Sequence, residues 1–343
     1  MKTILVTGGA GFIGSNFCRH VLDTYPDYRL IVLDNLTYAG NVDALSAEHL
    51  DQHVDRVRFW YGNVRNADLV SMLVGQAEIV VHFAAETHVT RSIFDNALFY
   101  ETDVLGTQAI ANAATKAKNL ERMIHISTSE VYGTAVAPLM DEQHPLNPQS
   151  PYASAKCGAD RLVYSYWATY GTPCTIIRPF NVFGPRQHLE KLIPRFITSV
   201  ILGEPLNIHG DGMAARDFTH VADLCRAIDL VMHAPKEQTI GEVFNVASGQ
   251  ERSINAIADD VRRVMGRSDA AARKVTERPG QVFRHTGDAA KIKRVLGWKP
   301  QETWESGLQN TIQWYADHRL WWERQMWART VPITLLDGRV VYH

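Results

Sequence analysis

The chain opens on a short apolar run, Ile4-Leu5-Val6, that passes straight into Thr7-Gly8-Gly9-Ala10-Gly11-Phe12-Ile13-Gly14. This junction constrains the fold more than any other segment. Gly8, Gly11 and Gly14 recur at every third position. That spacing permits a tight turn, lets the backbone approach a pyrophosphate and packs a helix close to its strand. The helix beginning at Phe12 and Ile13 offers amide donors and the positive end of its dipole to the same anion. A second apolar run, Leu30-Ile31-Val32-Leu33, ends at Asp34, about 20 residues beyond the last glycine. A carboxylate there is placed to meet the ribose hydroxyls of an adenosine, with Asn35 and Thr37 beside it. An acid at that point disfavours a 2′-phosphate, so the expected cofactor is NAD rather than NADP.

Further apolar runs at 57–60, 79–83, 123–126 and 174–177 alternate with helical patterns at 12–24, 67–74, 97–118 and 152–170. Short β-branched runs separated by helices indicate strands buried on both faces of a parallel sheet. The expected fold is α/β: a doubly wound parallel (Rossmann) sheet with a smaller interleaved α/β substrate lobe. Residues 1–180 form the expected NAD-binding domain, rejoined by about 218–247, where Val243-Phe244-Asn245-Val246 looks like a late strand. Residues 181–327, broken by prolines and glycines, form the expected substrate lobe, and 328–343 an extension. Asp337-Gly338 between apolar runs predicts a β-hairpin there, docked on its own subunit or a neighbour.

Composition narrows the function classes. Lys plus Arg total 35 and Asp plus Glu 37, a net charge of −2, so there is no general basic field for nucleic acid. No apolar run approaches the roughly 18 residues of a membrane span. The N-terminus turns glycine-rich too early for a signal peptide. Cys18, Cys157, Cys174 and Cys225 are scattered, with no CxxC pair. They suggest neither a disulfide framework nor a metal site, and the expected location is cytoplasmic. Six of the eight tryptophans fall between Trp298 and Trp327, where packing of the substrate lobe is the expected role.

Two segments carry chemistry. Tyr152 and Lys156 stand four apart in Ser150-Pro151-Tyr152-Ala153-Ser154-Ala155-Lys156, hence on one helix face. An ammonium beside a phenol favours phenolate, which could take a proton from an alcohol while hydride leaves for a nicotinamide. The run at 123–126 ends in Ser127-Thr128-Ser129-Glu130, and ligands of open α/β sheets bind at such strand ends.

With these residues in place, the chain resembles the extended short-chain dehydrogenase/reductases, and within them the nucleotide-sugar 4,6-dehydratases of the dTDP-glucose 4,6-dehydratase type. The resemblance covers about residues 1 to 327. It rests on the glycine turn, Leu36-Thr37-Tyr38-Ala39-Gly40-Asn41, Phe83-Ala84-Ala85-Glu86-Thr87-His88-Val89 with Arg91-Ser92-Ile93, and the Tyr152/Lys156 pair. Glu190-Lys191-Leu192-Ile193-Pro194, Arg278-Pro279-Gly280 and Leu296-Gly297-Trp298-Lys299-Pro300 extend it.

The resemblance implies oxidation at C4, elimination of water across C5–C6 and return of hydride to C6, giving a 4-keto-6-deoxy sugar. Tyr152 is then the base at the 4-hydroxyl, Thr128 holds that oxygen, and Glu130 takes the C5 proton. Lys156 supports the tyrosine. The resemblance also implies cofactor contacts at Asn63, Val64, Phe83, Ala84, Ala85 and Thr102, with Asn63 presenting an amide to the adenine edge. Arg216 and Arg284 match diphosphate-binding arginines, Glu190 and Lys191 sugar and phosphate contacts, and Asn181 a sugar or phosphate contact. His88 is a candidate for the sugar pocket. Asn207, Ile208, His209 and Asn245 are candidates for the nucleotide base.

Departures accompany the match. Ser129 stands where the dTDP-glucose enzymes carry an Asp acid, Asp103 where Asn is usual, and Asn63 where Asp is usual. A serine has no suitable pKa for a general acid. Thr-Ser-Glu instead resembles GDP-mannose 4,6-dehydratases and UDP-glucuronate decarboxylases. Three alternatives therefore stay open: a C4 epimerase, a decarboxylase using Arg91 or Arg186, and more remotely a non-catalytic NAD-binding sensor. The family implies a homodimer through the helices at 97–118 and 152–170. The expected partners are a nucleotide-diphosphate sugar and a second copy of the chain, with no nucleic acid, membrane or metal.

Overall fold

The structure is a computed structural model that describes residues 2–45, 53–276, 284–330, 332–334 and 338–342. The Arg278-Pro279-Gly280 motif and Asp337 lie outside the described residues.

Strands β1 (Lys2–Thr7), β2 (Tyr28–Asp34), β3 (Val57–Tyr61), β4 (Ile79–His82), β5 (Arg122–Ile126) and β6 (Cys174–Pro179) come first in the chain. Next are β7 (Asn181–Phe183), β8 (Leu206–His209), β9 (Ala215–His220) and β10 (Val243–Val246). The main sheet is wholly parallel, in the order β10-β6-β5-β4-β1-β2-β3. This is a Rossmann-type doubly wound order with a seventh strand at one edge. The chain leaves the sheet after Pro179, and β10 returns to pair with β6.

The continuous apolar runs are explained by burial on both faces. Ile4, Leu5 and Val6 are all at 0% exposure. One face packs Phe17 and Val21 of helix Phe12–Thr24 and Leu224 and Ile228 of helix Val221–His233. The other packs Val70 and Leu73, Ile110, and Val163 from three further helices. A separate core built from Phe183, Ile193, Phe196, Ile257, Leu308, Tyr315 and Trp322 holds the second lobe. The tryptophan-rich stretch mostly serves packing: the indole N–H groups of Trp298, Trp304 and Trp322 donate to Asp223, Asp260 and Tyr315. Trp327 is the exception, at 68% exposure.

The helix carrying Tyr152 is strongly bounded. Pro151 opens it, the Ser150 hydroxyl caps Ala153 N–H at 3.1 Å, and Gly171 ends it in the left-handed region at φ 68°. The stretch at 97–118 is less regular than its periodicity predicts. It divides into Ala97–Phe99, a π-helical segment Tyr100–Gly106, and an α-helix Thr107–Lys116. In the extension, Pro332–Thr334 and Val340–Tyr342 pair antiparallel, and the first of these strands lies against helix Val89–Phe94.

Candidate active site

A cavity of about 490 Å³ runs from the glycine turn, across the carboxyl ends of the parallel strands, into the second lobe. Its cofactor end is a cradle of bare backbone. Gly8 has φ +71°, and a Cβ there would stand 2.6 Å from Ala84 N. A Cβ at Gly14 would collide with the Gly8 carbonyl. The Asp34 carboxylate accepts the N–H groups of Ala10 at 2.9 Å and Leu36 at 2.8 Å, and burial pushes its pKa up. Gly8, Gly11, Phe12, Ile13, Gly14, Asp34, Asn35, Thr37, Asn63, Val64, Phe83, Ala84, Ala85 and Thr102 all line this cavity. A close-approach turn facing a buried acid fits NAD. Asp34→Ala is expected to weaken NAD binding about 10- to 100-fold, the worth of a charge-assisted hydrogen bond. Titration with NAD and NADP checks this, and unchanged discrimination between them would refute it.

Thr128, Glu130, Tyr152 and Lys156 all line the same cavity. Thr128 follows β5, and its hydroxyl accepts Glu130 N–H at 3.2 Å, which fixes a short 3₁₀ turn over Ser129–Tyr132. Lys156 is almost fully buried, and its Nζ donates to the Ile126 carbonyl at 2.8 Å. Burial lowers its pKa, while Asp103 and Asp160 act against that. The phenol of Tyr152 is pushed well up, first by burial and then by the charges of Asp103 and Glu130, with the Thr128 hydroxyl acting downward. The expected depression by Lys156 does not appear in the chain alone. Burial also raises Glu130, tempered by Arg216 and Lys191.

Toward the second lobe, Asn181, Lys191, His209 and Arg216 line the cavity. Glu190 sits just behind Lys191, 3.1 Å from its Nζ, and is buried. Burial raises the Glu190 pKa, but Lys191, His88 and His188 more than offset it, so the net shift is downward. His88 lies behind the same wall. Its Nδ1 accepts Arg91 N–H and its Nε2 lies 3.4 Å from Glu190.

Four more of the expected site residues lie outside the cavity lining. Ser129 does not line the cavity: it is 1% exposed, and its hydroxyl lies 3.4 Å from His285 Nδ1. His285 Nε2 in turn donates to the Ser129 carbonyl. Asn245 is fully buried, accepting from Tyr132 and donating to the Met140 carbonyl, so it cannot face a base. Asn207 takes Arg273 at 3.1 Å instead of lining the cavity. Arg284 is exposed and pairs with Glu251 at 2.8 Å, also outside the lining. In each case a partner distant in sequence captures the polar group.

Sequence reasoning passed over Glu86, Gln187, His188, Phe218 and Ile254, all of which line the cavity. Glu86 lies inside the quoted 83–89 motif, is 2% exposed and has a carboxylate oxygen without a hydrogen-bond partner.

The chain is similar to known proteins along most of its length. A sequence model of the family described as GDP-mannose 4,6 dehydratase matches residues 5–311. The low-salt glycan biosynthesis protein Agl12 of Haloferax volcanii is 45% identical over 91% of this chain and 98% of its own. A dTDP-glucose 4,6-dehydratase of Streptomyces niveus is 41% identical, covering 93% of this chain and 94% of its own. Among solved structures, a double mutant of the dTDP-glucose 4,6-dehydratase DesIV from Streptomyces venezuelae, with NAD bound, superposes with a TM-score of 0.89. It is 41% identical and covers 94% of this chain and 99% of its own.

Proposed function

Because the chain belongs to the GDP-mannose 4,6-dehydratase family and is an NAD-dependent nucleotide-sugar 4,6-dehydratase, we propose that its substrate is dTDP-glucose and that Thr128, Glu130, Tyr152 and Lys156 carry the reaction. One observation supports this above the others: these four side chains share the wall of the cavity that also contains the glycine turn. Gly8, Gly11, Gly14 and Asp34 would hold NAD, which would supply the acceptor for the C4 hydride and its source for C6.

The chain's own groups divide the proton work. Tyr152 takes the proton of the sugar 4-hydroxyl, and Thr128 donates to the oxygen as charge develops on it. The resulting C4 ketone acidifies C5, and Glu130, its pKa raised by burial, removes that proton. Hydroxide leaving C6 needs a proton too. Ser129 is turned away from the cavity, so Glu130, a carboxyl that lines it beside Thr128 and Tyr152, passes its proton to the leaving hydroxide, and solvent supplies the proton that C5 takes up as hydride returns to C6. Lys191 and Arg216 supply positive charge for the diphosphate. Arg284 stays outside this group.

The test is incubation of the holoenzyme with dTDP-glucose, UDP-glucose, CDP-glucose and GDP-mannose. Mass spectrometry reads loss of one water for dehydration and no change for epimerisation, and a separate incubation with UDP-glucuronate reads loss of carbon dioxide for decarboxylation. Preferred conversion of dTDP-glucose to a species one water lighter is expected. Absence of a 4-keto product from all four would overturn the reading. Glu130→Gln is expected to slow dehydration about 10²-fold, with a 4-keto hexose that has kept its water appearing in single-turnover mass spectra.

The working form is proposed to be a homodimer through the faces of the segments at 97–116 and 151–170. Exposed Tyr100, Leu105, Tyr164 and Tyr170 on these segments support it. The four free thiols fit the proposed cytoplasmic location. Among the described residues, no helix is long and apolar enough to cross a membrane.

A further inference from the structure

Asp103 lies in the π-helical segment Tyr100–Gly106, which packs against the helix bearing Tyr152 and Lys156. It has 0% exposure. Its Oδ1 accepts Glu86 N–H at 2.8 Å, and its Oδ2 is buried with no hydrogen-bond partner. A carboxylate sealed in this way is costly unless a cation stands near. That cation is Lys156, whose charge acts on Asp103 and is acted on by it. The same carboxylate also raises the phenol of Tyr152.

We propose that Asp103 is a positioning residue for the oxidation step, a buried counter-charge to Lys156 that sets the pH range over which Tyr152 and Lys156 act together. This rests on the reading of Tyr152 as the base. Asp103 touches neither sugar nor cofactor and works through its two neighbours. Burial pushes its own pKa up, with Lys156 and the Glu86 N–H acting downward and the Glu86 charge upward. The other groups facing this pocket do not mimic it. Burial holds His82 near 3 and His125 well below the usual histidine range, so both rings are neutral. Glu86 is raised by burial, and Asp160 acts on Lys156 from one turn further along the helix. Glu101, on Asp103's own segment, is engaged at the surface by Arg65.

The sign is the same at both ends of the pH profile. A negative neighbour makes the phenol harder to ionise, so it moves the acid limb up. It makes the ammonium harder to deprotonate, so it moves the alkaline limb up as well. Asp103→Asn keeps the shape and an acceptor for Glu86 N–H while removing the charge. It is expected to displace both limbs of the kcat profile with dTDP-glucose to lower pH, each by about one unit. Asp103→Ala removes the same charge and is expected to displace them in the same direction. Limbs left in place, with kcat lowered equally at every pH, would reduce Asp103 to a structural role and overturn the proposal.

A second readout needs no substrate. Ultraviolet phenolate titration of the holoenzyme, with Tyr152→Phe as the subtracted control, isolates the ionisation of Tyr152. That ionisation moves to lower pH in Asp103→Asn if the proposal holds, and its failure to move overturns it. A wild type that converts no nucleotide sugar would overturn the functional reading alone.

Discussion

Tyr152→Phe is expected to lower kcat by about 10³-fold while changing KM by no more than a few-fold. The substitution removes one oxygen and leaves the ring. That ring packs edge-on to Phe99, with centroids 6.3 Å apart, in a small cluster with Ala155. The fold and the cavity wall should therefore survive, and the lost rate can be assigned to the missing proton acceptor. The phenol is well placed for the role, on the cavity wall with the Thr128 hydroxyl acting on it. Single-turnover mass spectrometry separates this variant from Glu130→Gln. Without Tyr152 ketone formation is itself slowed, whereas without Glu130 a 4-keto hexose that has not eliminated water accumulates. Undiminished turnover in Tyr152→Phe would remove Tyr152 from the reaction.

The division of labour explains why the site spans two lobes. The glycine turn and Tyr152 belong to the sheet and its helices, which are held by large apolar cores on both faces. Lys191 and Arg216 come from segments attached to a separate core. The cationic charge proposed to meet the diphosphate is thus local, and the chain as a whole stays near neutral at −2.

What was legible in the sequence was mostly what is local. The turn at Gly8, Gly11 and Gly14 and the pairing of Tyr152 with Lys156 depend on spacing within one turn or one helix. Asp34 depends on one strand following another, and all six residues line the cavity. The expected site residues that lie outside the cavity are held there by long-range partners. Ser129 is held by His285 from 156 residues away, and Asn245 by Tyr132 and Met140, more than 100 residues earlier. No pattern around Ser129 or Asn245 contains those partners. The π-helical segment at Tyr100–Gly106 escaped for another reason: the apolar spacing of residues 97–118 fits an ordinary helix, and nothing in that spacing reports hydrogen bonds shifted by one residue. In the sequence Asp103 is only a departure from the usual Asn; its burial and its unpartnered oxygen come from the fold.

Beneath the catalytic wall lies the charge pair on which the second large effect depends. Asp160→Ala is expected to destabilise the protein by about 3–5 kcal/mol, a large share of the 5–15 kcal/mol typical of a folded domain. Arg178 donates from Nε to Asp160 Oδ2 and from Nη2 to Oδ1, both at 2.8 Å, with side chains 2% and 0% exposed. Its remaining Nη1 donates to Tyr132 Oη, and the guanidinium lies 4.9 Å from that ring's centroid. Removing Asp160 leaves a full positive charge buried with one neutral partner, a situation the low-dielectric interior penalises heavily. The cost belongs to the orphaned charge rather than to the bond. A double variant, Asp160→Leu with Arg178→Met, is therefore expected to recover most of the loss, as measured by urea midpoints. A double variant as unstable as Asp160→Ala would refute this account. Acid supplies an independent check. Burial alone would raise Asp160, but the Arg178 hydrogen bonds and charges outweigh it and leave its pKa below the usual carboxylate value. Its contribution is then fully present above the unfolded pKa of about 3.9 and fades as pH falls through the lower folded value. The stability gap between wild type and Asp160→Ala is expected to hold steady at neutral pH and to narrow only in strong acid.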